Sequence, residues 1–471
     1  MRPAGNNAPG VHRGSTEESS ATERASAAEA EVDRPAGRRL PNAAKRESFA
    51  FFRRSGLSAR YDVAVLGGGF VGLGAALALQ ARGRSVALID RLGAVARETS
   101  FGNTGIVQSE AAYPYTFPRD PREIANAALN RDPRAHIRYA ALPNIAPAIW
   151  RYFLASAPEA RERSGRGLRA LVAGAVAEHR ALAAAAGAGA LLREGGWIKA
   201  FRTPRGRDRG LADAEETRAL GVTFAALDGD ALRALEPHLG EAAIGGVHFS
   251  DPLTTPDPAA LGQCYADLFV TRGGRIFTGD AGTLEMAGDG FKLAIDDGLL
   301  AREVVVALGP WSGAFVQRFG YKLPFFVKRG YHRHFAARGN AGLSRPVLDF
   351  ERGYVVTPMT RGLRLTTGAE FARVDDPPSS AHIDRLEPFA RELYPIGERL
   401  DAEPWLGRRP CLPDMLPVIG HAPRHKGLWF DFGHQHLGLT LGPVSGRLLA
   451  DLMTGVAPFV DPAPYAIERF A

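Results

Sequence analysis

Apolar positions first crowd together at Tyr61, where the chain runs YDVAVLGGGFVGLGAALALQARGRSVALIDR. Val63, Val65 and Leu66 predict a short buried strand, and Ala75, Leu77 and Leu79 predict a helix just beyond a glycine-rich turn. Val86 to Ile89 predict a second strand, which ends at Asp90. The uncharged run from Val63 to Ala81 is 19 residues long and reaches the length of a membrane span. Glycines at 67, 68, 69, 72 and 74 divide it, so strand, turn and helix account for it better than one spanning helix.

Further along, Leu168 to Leu192 form an alanine-rich helical region. Leu261, Cys264, Tyr265, Leu268 and Phe269 fall at helical spacing behind Thr255-Pro256-Asp257, which reads as a helix start with Thr255 as N-cap and Cys264 in the core. Val247–Phe249, Val304–Leu308, Phe325–Val327, His332–Phe335, Tyr354–Val356 and Leu363–Thr367 read as strands, and Ser445 to Met453 as a helix. This mixture predicts an α/β protein without internal repeats.

The length of 471 residues allows two large domains or three, and 45% apolar residues are ample for a core. Cys264 and Cys411 are too far apart in sequence for a zinc ribbon and too few for a disulfide framework, which fits a reducing compartment. The net charge of +7 hints at nucleic acid until it is divided along the chain. Residues 1–60 hold 11 of the 58 basic and 7 of the 51 acidic side chains, which leaves a nearly balanced 47 against 44 for the remainder and no basic face for a nucleic acid.

Residues 1–58 carry hardly a large apolar side chain before Phe49 and are expected to be a disordered extension. No apolar h-region marks a secretory signal, and six acids between Glu17 and Asp33 argue against a transit peptide. Phe49, Phe51 and Phe52 beside Arg53 and Arg54 form a candidate membrane-surface patch, with a weak local contact as the simpler alternative. The expected location is cytoplasmic, with peripheral contact at the inner membrane face as an option.

The glycine-rich turn carries chemistry. Gly67 allows a tight turn, Gly69 lets backbone N–H groups approach a pyrophosphate, and Gly72 lets helix pack closely on strand. Phe70 and Val71 open the helix whose N-terminus attracts phosphates, and Asp90 is placed to accept from a ribose hydroxyl. Arg91 would suit a 2′-phosphate, but Asp90 would repel one, so a surface charge is the better reading. This is a dinucleotide site, and the motif alone does not choose FAD over NAD. No Gly-Lys dipeptide exists to build a Walker loop.

Four further blocks stand apart in the chain: ETSFGNTG at 98–105, VVALGPWS at 305–312, GRRPCLPDMLPVIG at 407–420 and FGHQHLGLTLGPVSG at 432–446. With the glycine-rich turn, they make residues 60 to 460 resemble the flavin-dependent amine oxidoreductases of the D-amino-acid oxidase superfamily, and most of all the bacterial D-amino-acid dehydrogenase group. The resemblance implies a Rossmann-type FAD-binding domain with an interleaved α+β substrate domain containing a large antiparallel sheet. It implies FAD-domain segments at 59–110, 241–312 and 401–471, a mainly helical and substrate-domain segment at 111–240, and the substrate sheet at 313–400.

It also assigns residues. Arg409 matches the arginine that holds the substrate carboxylate in relatives, with Arg408 beside it leaving the register open, and a structural ion pair as the alternative role. Tyr354 matches a tyrosine that hydrogen-bonds the same carboxylate, against simple packing on a strand. Ser100, Asn103 and Gly105 match a loop near the pyrophosphate and isoalloxazine, and Gly309 lies in another block that holds FAD. Gly433, Gly438, Leu439 and Thr440 match the turn that aims a helix at the flavin, and His434 is a flavin-side residue. His332 and His334, with His434 and His436, make two HxH pairs, but no companion ligand supports a metal site. Cys411 is misplaced for covalent attachment, so FAD is expected to bind noncovalently.

The implied activity is oxidation of the α C–N bond of a D-amino acid or cyclic imino acid by hydride transfer to flavin N5, with quinone or another electron acceptor. An oxidase using oxygen and a 2-hydroxy-acid dehydrogenase are the alternatives within the fold. A flavin-binding docking subunit without turnover is the alternative outside enzymes.

Overall fold

A computed structural model describes residues 60–471, and the extension and its aromatic patch at 49–54 lie outside the described residues. Two sheets carry the fold. In the first, of eight strands, Arg60–Leu66 lies between Val86–Asp90 and Leu299–Val306 and runs parallel to both. Arg275–Thr278 extends the parallel array beyond Val86–Asp90, and Leu428–Phe432 extends it beyond the C-terminal half of Leu299–Val306. A strand buried on both faces reads as a continuous apolar run, which is why Val63, Ala64, Val65 and Leu66 have no exposed surface. Side chains alternate across the sheet: Val63, Val65 and Leu88 enter one core, and Ala64, Leu66, Ala87 and Ile89 enter another. Each large aliphatic side chain buried this way contributes about 1.5–3 kcal/mol.

Helices Phe70–Ala81, Pro158–Ala185, Pro258–Thr271 and Gly438–Thr454 cover the first of these cores. The first and last of them bring the two ends of the described chain together. A Cβ on Gly74 would lie 2.2 Å from the carbonyl oxygen of Gly442, so the helices cross backbone against backbone. This contact joins the glycine-rich turn to the C-terminal block.

The second sheet has eleven strands, mostly antiparallel, around Phe326–Ala337. Gly362–Thr366 and Ala369–Phe371 pair along one edge of that strand, and Ile396–Arg399 and Trp405–Cys411 along the other. Tyr354–Met359, Val347–Asp349, Trp197–Phe201, Gly245–Phe249 and Ala225–Asp228 continue the sheet outward. Phe325–Val327 and His332–Phe335, expected as separate strands, are thus one strand of 12 residues. The intervening Arg329 does not break it, because its guanidinium meets Glu370 at 2.9 Å.

Pairing also corrects the expected segment boundaries. Gly245–Phe249, expected in the FAD segment 241–312, and Trp405–Cys411, expected in the FAD segment 401–471, both belong to the large sheet. A short apolar strand suits either sheet, and only its partner decides. The helix expected to be capped by Thr255 begins at Pro258, with Asp257 as N-cap accepting from Ala260 N at 3.0 Å. Cys264 on this helix is half-buried against the core rather than within it. No helix among the described residues is long and apolar enough to cross a membrane.

Candidate active site

A cavity of about 1300 Å³ lies between the first sheet and one face of the second. At one end, strand Arg60–Leu66 turns at Gly67, whose φ is +111° and where a Cβ would lie 2.3 Å from the carbonyl oxygen of Ala307. Gly67, Gly69, Phe70 and Val71 line the cavity here. Gly69 is the N-cap of the helix and offers no side-chain cap, so the orphan N–H groups of the first turn stand at the cavity wall. Phe70 N is the exception, donating to Ser100 Oγ at 3.3 Å.

Asp90 lines the same end, with Oδ2 accepting from Gly68 N at 2.8 Å and Oδ1 from Leu92 N at 2.9 Å. Its carboxylate is therefore fixed to the turn. Arg91 also lines the cavity, paired with Glu98 and laid over the Trp311 ring at 3.9 Å, so its charge is already matched. Ser100, Asn103 and Gly309 line the wall between the two ends, and Gly433, His434, Gly438 and Leu439 line its continuation. Helix Gly438–Thr454, like the first, starts without a side-chain cap.

Four assigned residues do not line the cavity. Gly72 sits behind the turn, where a Cβ would meet Gly67 O at 1.8 Å. Gly105 accepts no ligand-facing position either; its N–H donates to Asn103 Oδ1 at 2.9 Å and its φ is +76°. Thr440 spends its hydroxyl inside the fold, accepting from Gln108 N at 3.1 Å and donating to Ile106 O at 3.3 Å. These three support the wall without forming it.

Tyr354 is the larger correction. It is fully buried on the face of its strand away from the cavity, while its neighbours Gly353 and Val355 line the cavity. Its hydroxyl donates to Phe389 O at 3.0 Å and accepts from Arg202 Nη2 at 3.1 Å. Alternation along a strand sends it to the wrong face for a substrate carboxylate.

Arg409 lines the cavity and Arg408 does not. Arg408 Nε donates to Val374 O at 2.8 Å. Arg409 donates to the carbonyl oxygens of Gly368 at 2.7 Å and Thr367 at 3.0 Å, and no carboxylate lies within 4 Å of it among the described residues. Burial lowers its pKa, as it must for a cation with no acid beside it.

Around Arg409 stand residues that motif reading did not single out. Lys328, directly opposite on the neighbouring strand, donates to Tyr152 Oη at 2.9 Å, and burial brings its pKa down to about 8. Tyr115 lines the cavity with 59% of its surface accessible, and its ring lies 4.8 Å from that of His436. Further along the wall, buried Glu110 accepts from Trp197 Nε1 at 3.0 Å, and burial raises its pKa to about 7. No spacing marks these residues; the alternation of Lys328 and Gly330 on one strand face was the only available signal, and it needed the strand's register.

His434 and His436 line the cavity, and burial drives both imidazoles down to about 3, so they are neutral. His434 Nε2 lies 3.4 Å from Asp431 Oδ1, and neither atom has a hydrogen-bond partner in the protein. Burial raises the Asp431 pKa well above the usual range. His332 and His334 are elsewhere: His332 stacks on Trp405 at 4.9 Å, and His334 Nδ1 meets Asp401 at 2.7 Å. Cys411 is buried behind the wall, its Sγ 3.5 Å from the carbonyl oxygen of Arg409.

A glycine turn at an uncapped helix N-terminus, on a parallel sheet whose cavity continues under a second sheet, defines a dinucleotide-binding protein with room for a second ligand. Residues 62–452 match the DAO family model, described as FAD dependent oxidoreductase, and the chain belongs to that family. It is 32% identical over 443 residues to a D-amino acid dehydrogenase of Cereibacter sphaeroides, covering 87% of this chain and 95% of that one. It is 29% identical over 417 residues to a D-amino-acid oxidase of Bradyrhizobium diazoefficiens, covering 87% of this chain and 98% of that one. Among solved structures, glycine oxidase from Geobacillus kaustophilus shares the fold with a TM-score of 0.67 at 22% identity, over 88% of this chain and 100% of that one.

The cavity fits FAD. It has a volume of about 1300 Å³, it is lined by the starts of two helices without side-chain caps, and it holds buried polar atoms at His434 and Asp431 that the protein leaves unpartnered. The chain is an FAD-dependent oxidoreductase.

Proposed function

We propose that the protein oxidises the α C–N bond of a D-amino acid or cyclic imino acid. The α hydrogen leaves as hydride, the amine loses a proton, and water converts an acyclic imine to a 2-oxo acid and ammonia, whereas the imine of a cyclic substrate keeps its nitrogen bonded to the carbon chain. FAD supplies the hydride acceptor. The carrying observation is Arg409, a cation on the cavity wall whose position is fixed by two backbone carbonyls and which has no acidic partner. A planar fork held in this way binds a carboxylate and fixes the α carbon attached to it.

Tyr115 takes the place expected of Tyr354. Its phenol lines the cavity, and Arg409 is among the charges that act on it. The N-terminus of helix Gly438–Thr454 presents partial positive charge to the cavity, which suits a group that gains negative charge on reduction. His434, a neutral imidazole, and Asp431, whose pKa burial raises, extend polar atoms into the wall. Once the substrate amine is deprotonated, the oxidation needs no dedicated protein base. FAD is held noncovalently, since the Cys411 thiol lies off the cavity.

The test is an anaerobic absorbance titration of the holoprotein with D- and L-amino acids, proline derivatives and 2-hydroxy acids. Bleaching of the flavin band by D-amino acids or cyclic imino acids supports the reading. Bleaching by 2-hydroxy acids alone, or by L-amino acids alone, overturns it. Reoxidation by quinone rather than air identifies a dehydrogenase; the reverse identifies an oxidase, the activity named for the Bradyrhizobium relative.

A further inference from the structure

Lys328 and Arg409 occupy directly opposed positions on antiparallel strands, so their side chains leave the same face, with backbones about 5 Å apart. Both line the cavity, and neither has a carboxylate within 4 Å among the described residues. Like charges placed opposite each other destabilise a sheet. Cations of the same sheet divide: Arg329 pairs with Glu370, Arg333 with Asp384 and Glu387, and Arg202 with Asp349, whereas Lys199, Arg364 and Arg408 make no ion pair among the described residues, and none of these is set directly opposite another cation on the cavity wall as Lys328 is. The buried acid on the same cavity wall, Glu110, is held by Trp197 and Ser109 and has Lys199, not Lys328, among the charges acting on it.

The lysine is also held in place. Its ammonium donates to Tyr152 Oη at 2.9 Å, and that hydroxyl passes its own proton to Tyr115 O at 2.8 Å. The ring of Tyr152 lies 4.0 Å away, and those of Phe326 and Phe371 lie 5.9 and 6.0 Å away. Aromatic faces favour a cation but supply no countercharge. An ammonium has three donors, and among the described residues its hydrogen-bond contacts are Tyr152 Oη and, at 4.0 Å, the sulfur of Met415.

We infer that Lys328 binds a second anionic group of the substrate, so that the preferred substrates are amino acids with a carboxylate in the side chain. The inference rests on the amino-acid reading above and deepens it. An α-carboxylate offsets one of two adjacent positive charges, and the reacting amine is neutral. A second carboxylate a few bonds from the first offsets the other.

The experiment compares the holoprotein's affinity for glutarate and pentanoate, unreactive acids of equal chain length, by thermal shift. Glutarate binds at least 10-fold more tightly than pentanoate, and Lys328→Met removes that preference while Lys328→Arg keeps much of it. In turnover, the ratio of kcat/KM for D-glutamate over D-norvaline falls by roughly 10- to 100-fold in Lys328→Met, the range expected for losing one charge-assisted hydrogen bond. Equal affinity of the wild-type protein for the two acids overturns the inference, and this measurement needs no variant. An unchanged substrate ratio in Lys328→Met, with kcat lowered for both substrates alike, also overturns it and makes the lysine a proton acceptor. A glutarate preference in a protein whose flavin no amino acid bleaches retains the dianion site and discards the amino-acid reading.

Discussion

The guanidinium of Arg409 lies over the backbone of Gly330: a methyl group added to that glycine would come within 2.4 Å of Nη2. Gly330 and Lys328 are two positions apart on one strand, hence on one face, and the absent side chain is the space the arginine fills. Gly330→Ala should displace the guanidinium without touching the dinucleotide end of the cavity. The expected outcome is a protein that retains its yellow colour and shows KM for its amino-acid substrate raised by roughly 10- to 100-fold, the loss of one charge-assisted contact. Steady-state kinetics beside a flavin spectrum check it; an unchanged KM would show that the substrate does not use Arg409.

Tyr354→Phe tests the reassignment of that tyrosine. The variant loses a buried hydroxyl that bridges Phe389 O and Arg202, but Arg202 keeps Asp349 at 2.6 Å and Phe389 O at 2.6 Å. Stability should fall by about 1 kcal/mol, with kcat/KM nearly unchanged. Tyr115→Phe should do the reverse, lowering kcat/KM with little change in the urea midpoint.

Burial raises the Glu110 carboxyl to about 7 from an ordinary value of 4.5. The folded state therefore holds a proton that the unfolded chain releases between those values. Its contribution is fully present below pH 4.5, declines as pH rises toward 7 and is gone above it, a change of about 3 kcal/mol. Urea midpoints measured at pH 5 and pH 8 should fall toward the higher pH. In Glu110→Gln that part of the slope should vanish, and the change in slope rather than the absolute stability is the readout.

Acid precipitation addresses flavin attachment. The Cys411 thiol is buried behind the wall, and burial raises its pKa, so it does not line the cavity and is not a ready thiolate. Precipitated protein should be colourless, with all of the FAD in the supernatant. A yellow pellet would show a covalent link.

Several parts of the site were legible because they depend on short-range chemistry. The turn at Gly67 and the uncapped start at Gly69 follow from residues a few positions apart, and the carboxylate at Asp90, held by Gly68 N 22 positions earlier, follows from one contiguous strand–turn–helix–strand unit. Arg409 was legible only as one of two adjacent arginines, since the choice between them is the choice of a strand face. Tyr354 was misplaced for the same reason: a shift of one residue along a strand moves a side chain to the other side of the sheet. The merged strand Phe326–Ala337 was read as two because Arg329, between its apolar halves, is matched by an acid more than 35 positions away in sequence.

By itself, the sequence determined the dinucleotide turn, the α/β class and the family likeness, because local backbone conformation and apolar periodicity are written in neighbouring residues. The tertiary structure alone decided which strands join which sheet and that the first and last long helices of the described residues meet at Gly74 and Gly442. It alone set Lys328 against Arg409 on one wall, since cross-strand register comes from pairing between segments some eighty residues apart, and no local pattern encodes that distance.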